Sequence, residues 1–327
     1  MAQERFSVAM CTYNGARYIQ EQLDSIAAQT RLPDELIICD DRSIDETPGI
    51  IARFAARAPF SVHCHINEKT IKSTENFAQA IRLCTGDLIA LSDQDDVWRP
   101  RKLECLTAAF AAAPAAAAVN SDAEIVDAGL RGLGQRLWEN IDFTPTGQRA
   151  AESGRMIDIL LKHNVVTGAT LAFRASYRDL ILPIPPSCFH DTWIALLLAA
   201  VADWAIIRDS LVLYRQHAHN QIGGGKRSIL KALDNTGAVY AAEARYCRSA
   251  RQRLLSFPNL FVNAGALKKL QAKVSHLEAR ASLPRSPLQR WPIVLRESTA
   301  GRYHLYSNGW MSAIRDLWRD SDGEADR

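Results

Sequence analysis

The chain lacks several features that would assign it to a specialised structural class. None of its seven cysteines forms a C-x-x-C pair, and their odd number and scattered spacing favour free, mostly buried thiols in a reducing compartment. No segment approaches the roughly 18 uninterrupted apolar residues of a membrane span; the best candidate, Trp193–Ile207, is short and contains Asp203. The first residues lead directly into a strand-like run, so we expect no signal peptide and a cytoplasmic protein.

The charge of the chain is unevenly distributed. With 327 residues it can bury a large core, in one big domain or two smaller ones, and its formal net charge is +3. Residues 1–225 hold 21 Lys and Arg against 27 Asp and Glu, a balance of −6, whereas residues 226–327 hold 18 against 9, a balance of +9. The last third is therefore a separate electrostatic region that can face an acidic partner or a membrane.

Short apolar runs alternate with helical spacing in the first part of the chain. The predicted strands are Phe6–Cys11, Glu35–Cys39, Ser61–Ile66 and Leu88–Leu91. The predicted helices contain Tyr18–Ile26, Ile50–Phe54, Phe77–Cys84 and Leu103–Phe110. This alternation predicts an α/β fold with a mostly parallel sheet that is covered by helices on both faces.

The alternation becomes less regular from about residue 115. Further strands are predicted at Ala117–Ser121, Ala123–Val126, Thr170–Phe173, Asp203–Ile207 and Leu211–Tyr214. Further helices are predicted at Ile157–Leu161 and Trp193–Ala200. The triple glycine at 223–225 is typical of a flexible hinge, and we place a domain boundary between residues 225 and 226.

An acidic cluster follows the fourth predicted strand. The apolar run Leu88–Leu91 leads into Asp93, Asp95 and Asp96 within a few positions. Like charges this close repel, and each raises the pKa of its neighbours. A hard divalent cation would relieve the repulsion, and Mg²⁺ typically takes one or two carboxylates plus substrate phosphates. The alternative is a solvated acidic loop that caps the helix beginning near Arg99.

Polar residues also follow the first two predicted strands. Tyr13 and Asn14 come after the first strand, and Asp40 and Asp41 end the second. In open α/β sheets ligands bind outside the carboxyl ends of the strands, so we expect these residues and the acidic cluster to share one edge. The first strand is not followed by G-x-G-x-x-G, so the dinucleotide-binding fingerprint is missing.

The basic last third contains an amphipathic helix with a narrow apolar stripe. Leu267, Leu270, Val274 and Leu277 repeat at spacings of three and four. Three prolines interrupt the region after residue 283, residues 303–318 are rich in aromatics, and residues 320–327 are predicted to be a frayed tail. The stripe could pack on the catalytic domain, pair with another copy, or lie at an anionic membrane. Trp291, Trp310 and Trp318 lie near basic residues. We expect residues 226–327 to dock the chain at a membrane or a partner; the alternative is a helical cap that only completes the fold.

Five short segments together resemble the family-2 glycosyltransferases of the GT-A fold. They are VAMCTYNG, IICDDRS, GDLIALSDQDD, the HD pair at 190–191 and YRQH at 214–217. The wording DQDDVW, HDTW and YRQH is most similar to the bacterial rhamnosyltransferase-like members. The resemblance covers roughly residues 5–225. It implies a GT-A domain at 1–225 followed by a basic helical region at 226–327.

The resemblance implies an inverting, metal-dependent transfer of one sugar, for which rhamnose is a candidate. The donor is expected to be UDP- or dTDP-linked, the cofactor Mn²⁺ or Mg²⁺, and the acceptor a hydroxyl of a cell-surface glycan or a lipid-linked glycan. The Q-x-x-R-W signature and membrane spans of processive synthases are absent, which favours single additions. We expect no nucleic-acid partner; peripheral contact with the inner face of the cell membrane, or self-association, would involve residues 226–327.

The resemblance also implies a role for each site residue. The nucleotide-sugar would be bound by Thr12, Tyr13, Asn14, Asp40, Asp41, Asn76 and Asp93, with Asp41 at the nucleobase and Asp93 at the ribose. The metal would be bound by Asp95, Asp96 and His217. Asp191 would be the catalytic base, and the acceptor side would contain Trp98, Gly168 and His190. Position 190 departs from many relatives, which have Glu there.

Single residues in these motifs also have purely structural interpretations. Asp191 could be the N-cap of a helix beginning at Thr192, since Asp is a preferred cap. His217 could be a structural histidine. The Asp40–Asp41 pair could serve only to form a turn, and Trp98 could be part of the core.

Two other functions remain open from the sequence. One is a catalytically silent relative that binds nucleotide or glycan, against which the intact acidic residues argue. The other is a nucleotidyltransferase, which would need a Gly-rich basic phosphate loop near the N-terminus; the segment TYNGARY is poor for that purpose.

Overall fold

The computed structural model describes residues 4–217, 237–257 and 264–318. The predicted hinge, the predicted boundary between residues 225 and 226, and the predicted frayed tail lie outside these ranges. None of the helices within them combines the length and the apolar character that a membrane span requires. Five of the seven cysteines are buried, as the sequence predicts.

The strands of the described residues form one mixed sheet in the order β3-β2-β1-β4-β8-β6-β9-β5, with β7 paired to β6. Their bounds are β1 Phe6–Thr12, β2 Glu35–Asp40, β3 Ser61–Ile66, β4 Leu88–Ser92, β5 Val97–Trp98, β6 Ala116–Val126, β7 Gly132–Arg136, β8 Leu171–Arg174 and β9 Asp203–Arg215. The pairs from β3 to β4 are parallel, as expected. Beyond β4 only the pair β6–β9 is parallel, so the second half of the sheet is mixed rather than parallel.

Helices cover both faces of this sheet. They are α1 Ile19–Ala27, α2 Thr47–Ala55, α3 Lys72–Leu83, α4 Lys102–Ala112, α5 Leu137–Asn140, α6 Pro145–Glu152, α7 Met156–Leu160, α8 Arg178–Ile181 and α9 His190–Val201. One face packs against α1, α2 and α4, and the other against α3 and α9. The two hydrophobic clusters that result fix the strand ends in space, and so position the side chains that follow them.

In two places, two consecutive predicted strands form one continuous strand in the structure. The segments predicted at Ala117–Ser121 and Ala123–Val126 form β6, and those predicted at Asp203–Ile207 and Leu211–Tyr214 form β9. The irregular residues between the predicted segments are accommodated by register shifts between β6 and β9, which keep the long pair continuous. The short strands β5 and β7 were not expected.

The C-terminal helices continue the same core. They are α10 Gly237–Leu255, α11 Ala264–Ala281, α12 Pro287–Thr299, α13 Arg302–Tyr306 and α14 Trp310–Trp318. Leu270, Val274 and Leu277 of the predicted stripe are buried against α10, in the hydrophobic cluster that also contains Trp193. The stripe therefore packs inside the protein, in the same hydrophobic cluster as α3 and α9.

A buried polar network holds the C-terminal helices together. His276 on α11 is buried, with Nδ1 3.0 Å from Glu297 Oε2 and Nε2 3.1 Å from Ser307 Oγ. Arg280, one turn later, donates to both carboxylate oxygens of Asp316 on α14, at 2.6 and 3.1 Å. Burial, assisted by the neighbouring cations Arg280 and Lys273, lowers the pKa of His276 to about 4.

The depressed pKa of His276 predicts a loss of stability in mild acid. Between about pH 6.5 and 4 the unfolded chain binds a proton at this residue and the folded chain does not, so stability falls as the pH is lowered. At pH 5 the loss is about 2 kcal/mol. Urea unfolding across this range should show a flatter pH dependence for His276→Gln than for wild type. The exposed His65→Gln is the matched control, and an unchanged slope for His276→Gln would contradict the assignment.

Candidate active site

A cavity of about 810 Å³ opens at the carboxyl ends of β1, β2 and β4. Nine residues singled out from the sequence line it: Thr12, Tyr13, Asp41, Asn76, Asp93, Asp95, Gly168, His190 and Asp191. The first strands supply one wall, and residues 164–168 with the start of α9 supply the opposite wall. The fold therefore brings together segments that lie more than a hundred positions apart.

Asp40 and Asp41 have different structural tasks at the end of β2. Asp40 is fully buried and accepts hydrogen bonds from the Thr12 and Ser43 hydroxyls, at 2.7 and 2.6 Å. Asp41 accepts from the backbone N–H of Ile71 and Lys72, at 2.7 and 2.9 Å, and thereby holds the start of α3. Asp40 lies behind the cavity and supports it, whereas Asp41 is part of its wall.

The side chain of Asn76 is engaged within the protein. Its amide donates to Cys39 O at 2.7 Å and accepts from Asn67 Nδ2 at 2.9 Å. Asn67 in turn donates to Asp41 Oδ1 at 3.0 Å. Asn76 thus supports the wall that Asp41 forms.

Gln94 connects the first motif to the acidic cluster. Its side-chain amide accepts from the backbone N–H of Tyr13 at 2.8 Å and donates to Tyr13 O at 3.0 Å. A Cβ atom at Gly15 would lie only 2.2 Å from Gln94 Oε1, so a side chain there would displace the Gln94 amide from its position beside Tyr13. Asn14 stays outside the cavity lining and organises the turn, accepting from the backbone N–H of Ile44 at 2.9 Å.

The three carboxylates of the acidic cluster point in different directions. Asp93 and Asp95 line the cavity. Asp96 is buried, with Oδ1 accepting from the backbone N–H of Arg215 at 2.9 Å. The expectation that Asp96 is a metal ligand therefore does not fit its position, because its carboxylate faces the interior.

Burial and mutual repulsion raise the pKa of two carboxylates in the acidic cluster. Burial, with the nearby Asp95 and Asp191 charges, raises the pKa of Asp93 to about 7. Burial, with the Asp95 and Asp93 charges, raises the pKa of Asp96 well above its usual range. Ionising the whole cluster is unfavourable until a cation is added, which fits a site that receives a divalent ion.

A buried lysine beneath the acidic cluster was not expected from the sequence. Lys102 is fully buried on α4, donates to Ala169 O at 2.7 Å, and lies 3.6 Å from the centre of the Trp98 ring. Burial lowers its pKa to about 7, against the opposing influence of Asp96 and Asp93.

Trp98 is almost fully buried and does not line the cavity. Its expected place on the acceptor side is therefore wrong, and it packs in the core instead.

Asp95 and His217 present two donor atoms side by side. Asp95 Oδ2 lies 2.8 Å from His217 Nε2, and the His217 ring stacks on Tyr18 with ring centres 4.8 Å apart. An oxygen and a nitrogen at this separation fit two adjacent ligands of one divalent ion. No group of three or more His, Cys, Asp or Glu side chains within the described ranges is arranged to hold a metal. The residues present therefore fit an ion that takes its remaining ligands from substrate and water.

Arg215 fixes the loop that carries Asp95. It is almost fully buried, donates through Nε to Asp95 O at 2.6 Å and through Nη1 to Ala128 O at 2.5 Å, and pairs with Glu21. Its guanidinium also lies 4.5 Å from the Tyr18 ring centre. The YRQH segment pointed to His217, but sequence gave no sign that the arginine anchors the acidic loop 120 positions earlier.

Arg215→Lys is predicted to weaken metal-assisted nucleotide binding. Lysine keeps the charge but loses the planar fork that bridges Asp95 O, Ala128 O and Glu21. We expect Mn²⁺-assisted binding of a nucleoside diphosphate to weaken by about tenfold to a hundredfold, the usual cost of disturbing residues that orient a metal ligand. Calorimetric titration measures it, with the exposed Arg208→Lys as control. A folded variant with unchanged affinity would contradict the role.

Asp191 lies in the first turn of α9 and faces the cavity. Helix α9 begins at His190 with Phe189 as its N-cap, so the alternative that Asp191 is the N-cap is wrong. Its Oδ2 accepts from Gly168 N at 3.3 Å and its Oδ1 from Thr192 N at 2.6 Å. Both oxygens are thereby oriented, which suits a carboxylate that must take a proton at a fixed place.

His190 and Gly168 support this wall. The His190 ring stacks on Phe77 with centres 3.9 Å apart, and its buried Nε2 has no partner among the described residues. A Cβ atom at Gly168 would lie 2.8 Å from that nitrogen, so a side chain there would collide with the His190 ring. Glu75 on α3 is a further carboxylate in the lining, which the sequence analysis did not select.

One known protein family matches the first part of the chain. Residues 7–167 match the family described as glycosyl transferase family 2. This stretch contains the first three motifs and ends just before Gly168.

Characterised and uncharacterised proteins are similar over a longer stretch. An uncharacterized protein of Mycobacterium tuberculosis is 29% identical over 217 residues, which cover 65% of this chain and 59% of that protein. The dTDP-rhamnosyl transferase RfbG of Shigella flexneri is 27% identical over 237 residues, which cover 65% of this chain and 73% of RfbG. The chain thus spans about three fifths of the length of the mycobacterial relative.

Solved structures of glycosyltransferases share the fold. S. aureus TarS, residues 1–349 in complex with UDP-GlcNAc, superposes with a TM-score of 0.57 at 17% identity, covering 92% of this chain and 89% of TarS. The mannosyltransferase PcManGT of Pyrobaculum calidifontis, in complex with GDP-Man and Mn²⁺, superposes with a TM-score of 0.52 at 17% sequence identity. The superposition covers 97% of this chain and 85% of PcManGT. These likenesses establish the GT-A fold, with helices following the sheet domain. Residues 7–167 of this chain are thus similar to glycosyl transferase family 2, and the chain has the fold of the solved transferases.

Proposed function

We propose that the chain transfers one sugar from a nucleoside-diphosphate donor to a hydroxyl, with inversion and with a divalent metal. The observation that carries the proposal is the single cavity in which the ends of β1, β2 and β4 face Asp191 across the opening. Donor-binding residues and an oriented carboxylate are the parts that a single displacement needs.

The donor would be bound at the strand ends. Thr12, Tyr13 and Asp41 would contact the nucleobase and Asp93 the ribose; all four residues line the cavity. TarS binds UDP-GlcNAc, PcManGT binds GDP-Man, and RfbG is a dTDP-rhamnosyl transferase, which supports a nucleotide-sugar here. We expect a UDP- or dTDP-linked sugar, with rhamnose as a candidate. Asn14, Asp40 and Asn76 would act by supporting this wall.

Asp95 and His217 would hold Mn²⁺ or Mg²⁺ beneath the diphosphate. The ion, when bound, would offset the negative charge that develops on the leaving nucleoside diphosphate. Arg215 keeps Asp95 in place, and Tyr18 keeps the His217 ring in place. The Mn²⁺ in the PcManGT complex supports a metal at a site of this fold.

Asp191 would be the base. An inverting transfer is one displacement, so one group that takes the proton of the acceptor hydroxyl suffices. Gly168 and Thr192 N–H groups aim its carboxylate at the cavity. Gly168 and His190 would border the acceptor, which we expect to be a glycan or a lipid-linked glycan. The C-terminal helices would bring the enzyme to that acceptor, at a membrane surface or through a second copy of the chain.

A thermal-shift screen tests the donor assignment. UDP, dTDP and GDP would each be added with Mn²⁺, with Mg²⁺ and with chelator. A ligand that binds only the folded chain stabilises it by about 2.7 kcal/mol at a hundred times its Kd, so one nucleotide with metal should raise Tm and chelator should remove the effect. Binding without any donor turnover would indicate a silent binding module, and no response to any nucleotide would contradict the proposal.

A further inference from the structure

Helix α14 is amphipathic with its apolar side turned outward. Its buried positions are Ser312, Ala313, Asp316 and Leu317, of which two are polar. Its exposed positions carry Trp310, Ile314 and Trp318, which are 63%, 57% and 70% exposed and recur every fourth residue. A helix that serves only to complete a soluble fold keeps its large apolar side chains on the buried side.

Helix α12, which packs against α14, shows the same inversion. It buries Arg290 and Glu297, which are 2% and 0% exposed. It exposes Leu288, Trp291 and Leu295, which are 80%, 51% and 57% exposed. We call the seven exposed large apolar residues of α12 and α14, which include Met311 at 72% exposed, the outer face.

The inversion is built into the packing. Asp316 is bonded by Arg280 and by the Tyr303 hydroxyl at 2.8 Å, and Glu297 is bonded by Arg302 at 3.0 Å as well as by His276. The buried polar side chains of both helices thus have partners, so rotating either helix to hide its apolar side would leave charges buried without them. Large exposed apolar patches of this kind mark interaction sites.

The exposed charged side chains of residues 283–318 are basic. Between residues 283 and 318 the carboxylates are Glu297 and Asp316, and both are buried. Arg285 is exposed, and the Arg296 side chain is 68% exposed. The exposed side chains of this segment therefore include large apolar residues and arginines, and both of its carboxylates are buried. Tryptophan and basic side chains are the residues enriched where proteins meet the headgroups of a bilayer.

We propose that the outer face binds the surface of an anionic membrane, with its apolar side chains among the acyl chains and Arg285 and Arg296 at lipid phosphates. A second copy of this chain is a poorer occupant, because two such faces would bring arginines together. The binding does not require the transfer reaction and is measured without donor.

The outer face is connected to the candidate base through packed helices. Tyr246 on α10 donates to Thr192 O at 2.8 Å, one residue after Asp191, and its ring meets the edge of Trp193. Helix α10 packs on α11, and α11 on α13. A bound membrane would therefore hold the cavity at a set orientation, which suits a lipid-linked acceptor.

Sedimentation of the full chain with vesicles tests the proposal. Vesicles of phosphatidylcholine with phosphatidylglycerol would be compared with phosphatidylcholine alone at low salt. Wild type should bind the anionic vesicles. The triple variant Trp291→Ser, Trp310→Ser, Trp318→Ser should bind at least about tenfold more weakly, from the loss of buried apolar area. These side chains are more than half exposed, so folding should survive; circular dichroism checks it. Leu133→Ser on β7 is the matched control for an exposed apolar residue.

Charge variants separate the two contributions to binding. Arg285→Gln with Arg296→Gln should weaken binding to anionic vesicles about fivefold for each arginine and leave neutral vesicles unaffected. Residues 319–327 include Asp320, Asp322, Glu324 and Asp326, so a variant with amides at these four positions should bind more tightly. Absence of binding by both wild type and this variant would overturn the proposal. A concentration-dependent dimer that the triple variant abolishes would also overturn it, in favour of a second copy.

Discussion

Replacing Asp191 by Asn should lower sugar transfer by about a hundredfold or more, the usual range for loss of a general base. Asparagine keeps the size of the side chain and, through its one amide oxygen, one of the two hydrogen bonds from Gly168 N and Thr192 N, but it cannot take the proton of the acceptor. Donor affinity should be nearly unchanged, because the strand-end wall is untouched. Donor hydrolysis, in which water replaces the unidentified acceptor, measures the rate, and nucleoside diphosphate titration measures the affinity.

Glu75→Gln is the matched control for this experiment, since Glu75 is another carboxylate in the same cavity. The account expects this variant to keep most of the activity. If Glu75→Gln loses the activity and Asp191→Asn retains it, the base has been assigned to the wrong wall.

Replacing Asp95 by Ala should abolish transfer and weaken metal-assisted diphosphate binding. Asp95 is the carboxylate whose oxygen meets His217 Nε2, and its removal leaves the ion one protein ligand. Loss of a Lewis acid at the leaving group costs several kcal/mol of transition-state stabilisation, so we expect at least about a hundredfold lower activity.

Two comparisons keep the Asp95 result specific. The exposed Asp209→Ala on β9 should behave as wild type. His217→Ala should resemble Asp95→Ala in its loss of Mn²⁺ dependence. Full activity of Asp95→Ala in the presence of chelator would remove the metal from the mechanism.

The ends of β1, β2 and β4 were predictable because they depend on local sequence, whereas Asp191 was predicted from the resemblance to the family-2 glycosyltransferases. Apolar runs that stop at polar residues fixed β1, β2 and β4, and parallel pairing then brought their ends together. The direction of each carboxylate was not predictable. The Asp96 carboxylate accepts from the backbone N–H of Arg215, which lies 119 positions later in the chain.

The missed features share the same physical origin. Trp98 is buried because β5 pairs with β9, and Lys102 is buried because its amine finds Ala169 O and the Trp98 ring. None of these partners is near in sequence. The C-terminal charge balance indicated a docking region, but the predicted stripe on α11 is core. The outward apolar side of α14 follows from buried pairs such as Arg280 with Asp316.

Release of nucleoside diphosphate from a UDP- or dTDP-linked sugar by the full chain tests the central claim most directly. The account predicts release in Mn²⁺ or Mg²⁺, little release in chelator, and restoration when metal is returned. Release at the same rate in chelator, or no release from any nucleotide-sugar with metal present, would contradict it.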